Sequence, residues 1–152
     1  MKTQRVYIDT SVIGGCEDDE FKEASLALLR DAKLGLLRLV VSDHMLAELA
    51  GAPTAVRQHL AELDDWTMEA VTGDAECLAL RDKYLAAGVV GPASASDALH
   101  VAIATVAEAS LLASWNFRHI VHYDKARQFN AVNLREGYGL VEIRSPVEIA
   151  MP

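Results

Sequence analysis

Four residues with oxygen-bearing side chains stand where apolar segments end or turn into helices: Asp9, Glu48, Asp97 and Asn116. Asp9 closes Arg5-Val6-Tyr7-Ile8-Asp9-Thr10-Ser11, and Glu48 lies in Ser42-Asp43-His44-Met45-Leu46-Ala47-Glu48-Leu49. Asp97 opens Ser96-Asp97-Ala98-Leu99-His100-Val101-Ala102, and Asn116 follows Leu111-Leu112-Ala113-Ser114-Trp115. Three carboxylates converging from distant points of a chain repel one another, and without a cation at least one is driven toward its neutral form. A hard divalent ion removes that penalty, and all-oxygen ligation selects Mg2+ or Mn2+ over zinc. The matching chemistry is phosphodiester hydrolysis, in which the ion polarises a phosphoryl oxygen and activates the attacking water.

Each residue also has a plainer reading. A carboxylate directly after a buried strand needs partners. Thr10 and Ser11 can donate to Asp9, but Asp9 is equally a helix N-cap. Ser96-Asp97 fits a capped helix start, and His100, one turn on, reads as a packed or hydrogen-bonded histidine. Glu48 is either a ligand or a solvated helix residue. His44 shares its helical face, and a histidine ligand would pull the site toward zinc or a later transition metal. With no second histidine or cysteine at zinc spacing, His44 reads as a surface or supporting residue. Asn116 can orient water or phosphate through its amide, or serve a turn. Arg118, His119 and Arg135 can face phosphates, although Arg135-Glu136 also reads as a charge pair at a helix end.

The elements that must position these groups follow from the apolar pattern. Val6 to Ile8 reads as a buried parallel strand. Gly14-Gly15 permits a tight bend, and Asp18-Asp19-Glu20 supplies acids for the first turn of an amphipathic helix over residues 21–34, stopped by Gly35. Residues 36–41 form a second strand, and Ser42 caps the helix that carries Glu48. Residues 54–63 are helical, 66–71 a short strand or irregular segment, and 74–87 a helix ended by Gly88. After a loop over 89–95, Ser96 and Asp97 start an apolar helix reaching 109, followed by a strand at 111–114. Residues 125–135 read as helix and 140–144 as a final strand. This alternation predicts one three-layer α/β/α sandwich over residues 1–152, with a mainly parallel central sheet and crossovers of one hand. Open sheets of this kind hold their chemistry at the carboxyl ends of the strands.

Bulk properties narrow the function further. The chain has 152 residues, 51% of them hydrophobic, which suits one domain with a full core. A net charge of −8 argues against a nonspecific nucleic-acid coat but leaves room for a basic partner peptide. Cys16 and Cys77 lack metal or disulfide spacing and point to reduced thiols in a cytoplasmic protein. The stretch 98–115 is broken by His100, Glu108 and Ser110, so it reads as buried helix plus strand and not as a membrane span.

The segments Tyr7-Ile8-Asp9-Thr10-Ser11, Leu46-Ala47-Glu48-Leu49, Ser96-Asp97-Ala98-Leu99-His100-Val101-Ala102 and Leu112-Ala113-Ser114-Trp115-Asn116 resemble the PIN-domain ribonucleases, including VapC-type toxins of bacterial toxin–antitoxin pairs. The resemblance implies a PIN-like fold and a Mg2+- or Mn2+-dependent endoribonuclease with Asp9, Glu48 and Asp97 as the acidic cluster. It also implies an RNA substrate, a homodimer and an antitoxin whose tail fills the active groove. Thr10 and Ser11 match the small hydroxyl residues that follow the first aspartate. At the fourth position Asn116 replaces an aspartate carried by many relatives, which removes one negative charge. That substitution implies weak activity, or a degenerate fold that binds RNA or protein without cutting. The segments 115–119 and 130–138 resemble those of a subgroup. An aspartyl phosphotransferase also uses an aspartate after its first strand, but usually in an Asp-x-Asp pair, which Asp9-Thr10-Ser11 lacks.

Overall fold

The computed structural model describes residues 3–149. Five strands, all parallel, form a single sheet in the order β3-β2-β1-β4-β5. They are β1 (Gln4–Ile8), β2 (Leu37–Ser42), β3 (Met68–Val71), β4 (Leu111–Ala113) and β5 (Glu142–Arg144). Between and after them run α1 (Thr10–Gly14), α2 (Lys22–Lys33), α3 (Asp43–Ala50), α4 (Thr54–Ala61), α5 (Ala75–Ala86), α6 (Ala95–Val106), α7 (Tyr123–Arg135) and α8 (Pro146–Ile149).

Strand alternation divides the core in two. Tyr7, Val40 and Leu112 point to one face and pack against Leu80 and Tyr84 of α5, Val101 and Ile103 of α6 and Phe129 of α7. Val6, Ile8, Leu39, Val41 and Leu111 point the other way, against Val12 and Ile13 of α1, Leu28 of α2, Met45 of α3 and Leu60 of α4. The three layers are therefore α/β/α. From β1 the chain steps to β2 and β3 with its helices on one face. It then crosses back to β4 and β5 with its helices on the other, so the crossovers share one hand, as expected. The reversal falls between β1 and β4, the kind of switch point where open parallel sheets bind ligands.

Local signals behave as their chemistry requires. The Ser42 hydroxyl accepts from the Met45 N–H at 3.0 Å and caps α3. Asp74 caps α5 through the Cys77 N–H at 3.1 Å. Gly35 and Gly88, at φ +76° and +74°, take the left-handed conformation that ends α2 and α5.

Other expectations need correcting. Gly14 and Gly15 make no bend: both are helical, at φ −56° and −60°. A Cβ on Gly15 would lie 2.6 Å from both Ser25 Oγ and Trp115 Nε1, so the glycine is needed for space and not for turning. Asp18-Asp19-Glu20 lie in the turn before α2, where the Asp18 carboxylate accepts the Glu20 N–H at 2.8 Å. Asp97 does not open α6. A short 3-10 turn over Pro92–Ser94 leads into Ala95, and Asp97 is the third helical residue. The short helices α1 and α8 have no counterpart in the sequence reading.

Candidate functional site

Asp9 follows β1 at the N-cap of α1, but its side chain makes no capping bond. It is 4% exposed and is held by two serines. Ser11 Oγ donates to Oδ1 at 2.6 Å, and Ser114 Oγ donates to Oδ2 at 2.5 Å. Those proton directions are set from behind. The Trp115 N–H donates to Ser11 Oγ and the Asn116 N–H donates to Ser114 Oγ, both at 2.9 Å, so each hydroxyl has its own proton free for Asp9. Burial pushes the Asp9 carboxyl above its ordinary range, against the pull of His100 and the two hydroxyls.

Glu48 stands in α3, partly exposed, where three side chains hydrogen-bond its carboxylate and a fourth, His44, stands close. Thr10 Oγ1 donates to Oε1 at 2.7 Å, and Ser96 Oγ donates to Oε2 at 2.8 Å. His100 Nε2 lies 2.6 Å from Oε1, and His44 Nε2 lies 3.9 Å from the same atom. The His100 hydrogen bond, aided by those from Thr10 and Ser96, brings the Glu48 carboxyl down to about 2. His44 is lowered, first by desolvation and then by its neighbour His100. Behind the site, His100 Nδ1 meets the buried Tyr7 hydroxyl at 2.7 Å, which meets Ser42 Oγ at 2.8 Å. Tyr7, a strand residue in the sequence pattern, is thus also what fixes the His100 ring.

The predicted acids are joined indirectly. Asp9 is next in sequence to Thr10, which binds Glu48, and Asp97 is next to Ser96, which binds the other oxygen of Glu48. Among the described residues the partly exposed Asp97 carboxylate has no hydrogen-bond or ionic partner. The tightest His/Glu/Asp grouping among the described residues is His44, Glu48 and His100, whose ligand atoms lie within 4.8 Å of one another. Neither Asp9 nor Asp97 belongs to it. Thr10 and Ser11 turn their hydroxyls toward the acids. Asn116 Oδ1 accepts the His119 N–H at 2.9 Å and closes the turn that carries the exposed Arg118. Arg135 pairs with Glu136 at 3.4 Å, as its helix-end reading anticipates.

The histidines are the part that sequence reasoning passed over. His44 and Glu48 stand one turn apart on α3, but His100 arrives from α6, 52 residues along from Glu48. The available signal was the joint presence of His44 and His100, each one turn from a candidate acid.

These donors suit a divalent cation: a Glu48 carboxyl held below its ordinary range, with two imidazoles close to it. No protein-family model matches the chain, and no curated protein does. Three solved structures share its fold. A structure of VapBC2 from Rickettsia felis bound to a DNA fragment from the promoter matches at 14% identity, 93% of this chain, 98% of that chain and a TM-score of 0.58. A FitAB structure bound to an IR36 DNA fragment matches at 15%, 93%, 94% and 0.59. DNA-bound VapBC from Salmonella typhimurium matches at 16%, 95%, 99% and 0.57. The five-stranded parallel sheet between two helical layers is therefore a PIN-like fold. No described helix is long and apolar enough to cross a membrane.

Proposed function

We propose that the chain is a divalent-metal-dependent endoribonuclease that hydrolyses RNA phosphodiester bonds as the toxin of a type II toxin–antitoxin pair. What supports this reading is that Thr10, next to Asp9, and Ser96, next to Asp97, both hydrogen-bond Glu48, which gathers the three segments beyond the carboxyl end of β1. Two solved structures of the same fold are VapBC assemblies by name, which, with the resemblance to VapC-type toxins, supports an antitoxin partner here as well. A net charge of −8 suits a basic antitoxin segment across this edge, and a homodimer fits the same reading.

Asp9, Glu48 and Asp97 would hold Mg2+ or Mn2+. When bound, such an ion supplies the positive charge that polarises a phosphoryl oxygen and makes a water nucleophilic. The chain's own part is positioning. Ser11 and Ser114 fix the orientation of Asp9. Thr10, Ser96 and His100 fix Glu48. Arg118 and His119, on the turn after β4, would meet the RNA phosphates, with the Arg118 guanidinium fitted to bidentate contact.

Metal-free protein given Mn2+ or Mg2+ should cut RNA, stop with EDTA, and lose about 1000-fold in rate in Asp97→Asn. Millimolar Mn2+ should also raise the wild-type melting temperature, and less so in Asp97→Asn. Cleavage indifferent to EDTA, or an undiminished rate in Asp97→Asn, would discard the mechanism. One observation favours a second reading, an RNA- or protein-binding module. Asn116 brings no fourth charge, and its carbonyl oxygen is held by the His119 N–H. RNA retained in a gel shift and left intact with every divalent ion would select it.

A further inference from the structure

The donors around Glu48 are not those of an all-oxygen site. His44 and Glu48 occupy successive turns of α3, and His100 of α6 enters between them, its ring centroid 4.6 Å from that of His44. His100 Nε2 meets Glu48 Oε1 at 2.6 Å, and His44 Nε2 lies 3.9 Å from the same oxygen while hydrogen-bonded to Ser96 Oγ at 2.9 Å. Bonds of about 2.1 Å place neighbouring ligands of a tetrahedral ion roughly 3.4 Å apart. The three atoms here lie within 4.8 Å of one another, so small side-chain rotations convert the cluster into a coordination shell.

The surroundings point the same way. A metal-binding histidine is normally oriented by a partner on its other ring nitrogen. His100 Nδ1 has one in the Tyr7 hydroxyl, itself backed by Ser42. Hydroxyl rotation lets this row run in either direction. With the His100 proton on Nδ1 and donated to Tyr7, and the Tyr7 proton donated to Ser42, His100 Nε2 presents its lone pair to the cluster. His100 is buried, while the Glu48 side chain is 36% exposed and that of His44 21%. The shell is open on one side, as catalytic sites are and structural ones are not.

We propose that His44, Glu48 and His100 form a two-histidine, one-carboxylate site for a borderline divalent cation of the Fe2+ to Zn2+ series, in preference to Mg2+. Imidazole suits those ions, whereas Mg2+ demands oxygen ligands. The inference revises the ion and its ligands within the nuclease reading, sharing Glu48 with it, and rests on that reading for the use made of the ion.

The test is calorimetric titration of metal-free, full-length protein with Zn2+ and separately with Mg2+, alongside the visible absorption of the Co2+-loaded form. One equivalent of Zn2+ should bind about 100-fold tighter than Mg2+. His44→Gln should weaken Zn2+ at least about 10-fold and shift the Co2+ bands while melting as wild type does. His100→Gln should do the same, with circular dichroism confirming its fold. Equal affinity for the two ions, or Zn2+ affinity and Co2+ bands unchanged in His44→Gln, overturns the proposal, even if RNA is cut. Tight, His44-dependent Zn2+ binding with RNA left intact by every ion upholds the site and removes only the nuclease reading.

Discussion

The acid-bearing edge around Asp9 and Glu48 has a counterpart in the helical layer formed by α5, α6 and α7. There, Tyr84 donates its hydroxyl to Asn133 Oδ1, and Asn133 Nδ2 donates to Thr105 Oγ1 at 3.2 Å and to Asn130 Oδ1 at 3.2 Å. Thr105 ends the row on the Val101 carbonyl at 2.8 Å, and Asn130 pins both the N–H and the carbonyl of Val141 at 2.9 Å. Every member is neutral and every row ends on backbone. At the candidate site the members include two carboxylates and two histidines, and the rows end at acids, Asp9 buried and Glu48 partly exposed. A closed neutral network specifies a core. An open charged one holds groups in states that folding alone would not choose.

The largest contrast should come from cutting each network at its centre. Asn133→Ala leaves the Tyr84 hydroxyl only its long 3.4 Å contact with Thr105 Oγ1 and opens a small void, at a cost of about 2–4 kcal/mol. Urea unfolding should show that loss equally with and without Mn2+. A neutral outcome would mean the α5–α7 network contributes no more than surface polar contacts do.

Asp9→Asn should act in the opposite direction. Burial raises the Asp9 carboxyl, so the folded state disfavours its ionised form more than the unfolded chain does. An amide of the same shape removes that burden, because Ser11 and Ser114 can rotate to suit it. In EDTA the variant should melt a few degrees above wild type, and its Mn2+-induced shift should vanish. A lower melting temperature would show that the carboxylate holds the fold together instead of straining it.

The sequence carried the scaffold more fully than the site, and for a physical reason. Caps and stops are local: Ser42, Asp74, Gly35 and Gly88 act on backbone groups within a few residues, so spacing reveals them. The short helix α1 was hidden because five residues, the last of them Gly14, show no period. The strand β3 stayed ambiguous because all four of its residues are partly or fully exposed at the sheet edge. The acids were legible as types at strand ends, and Asp9 does stand where its strand predicts. Their partners were not. The contact between His100 and Glu48 depends on how α3 and α6 cross the sheet, which no spacing encodes. The segment 130–138 lacked a role in the sequence, whereas packing makes its two inner asparagines the neutral network's hub.

The smallest effect is also the most discriminating, since the two acids should respond to acid with opposite signs. The folded-state value of Glu48, about 2, lies below its ordinary 4.5. Its contribution to stability is complete above 4.5 and is lost as pH falls toward 2. Asp9 lies above its ordinary 3.8, so the native state takes up its proton before the unfolded chain does. Stability is therefore gained as pH falls through the raised value, and the gain is complete below 3.8. Melting curves in EDTA between about pH 6 and pH 3 should then separate the variants. Glu48→Gln should flatten the acid loss seen in wild type, and Asp9→Asn should steepen it. Since Glu48 is exposed over a third of its side chain, solvent and salt will mute its share, and the Asp9 change should survive added salt better. Variants that bend the profile the same way would show that the two acids sit in one electrostatic environment and not in two.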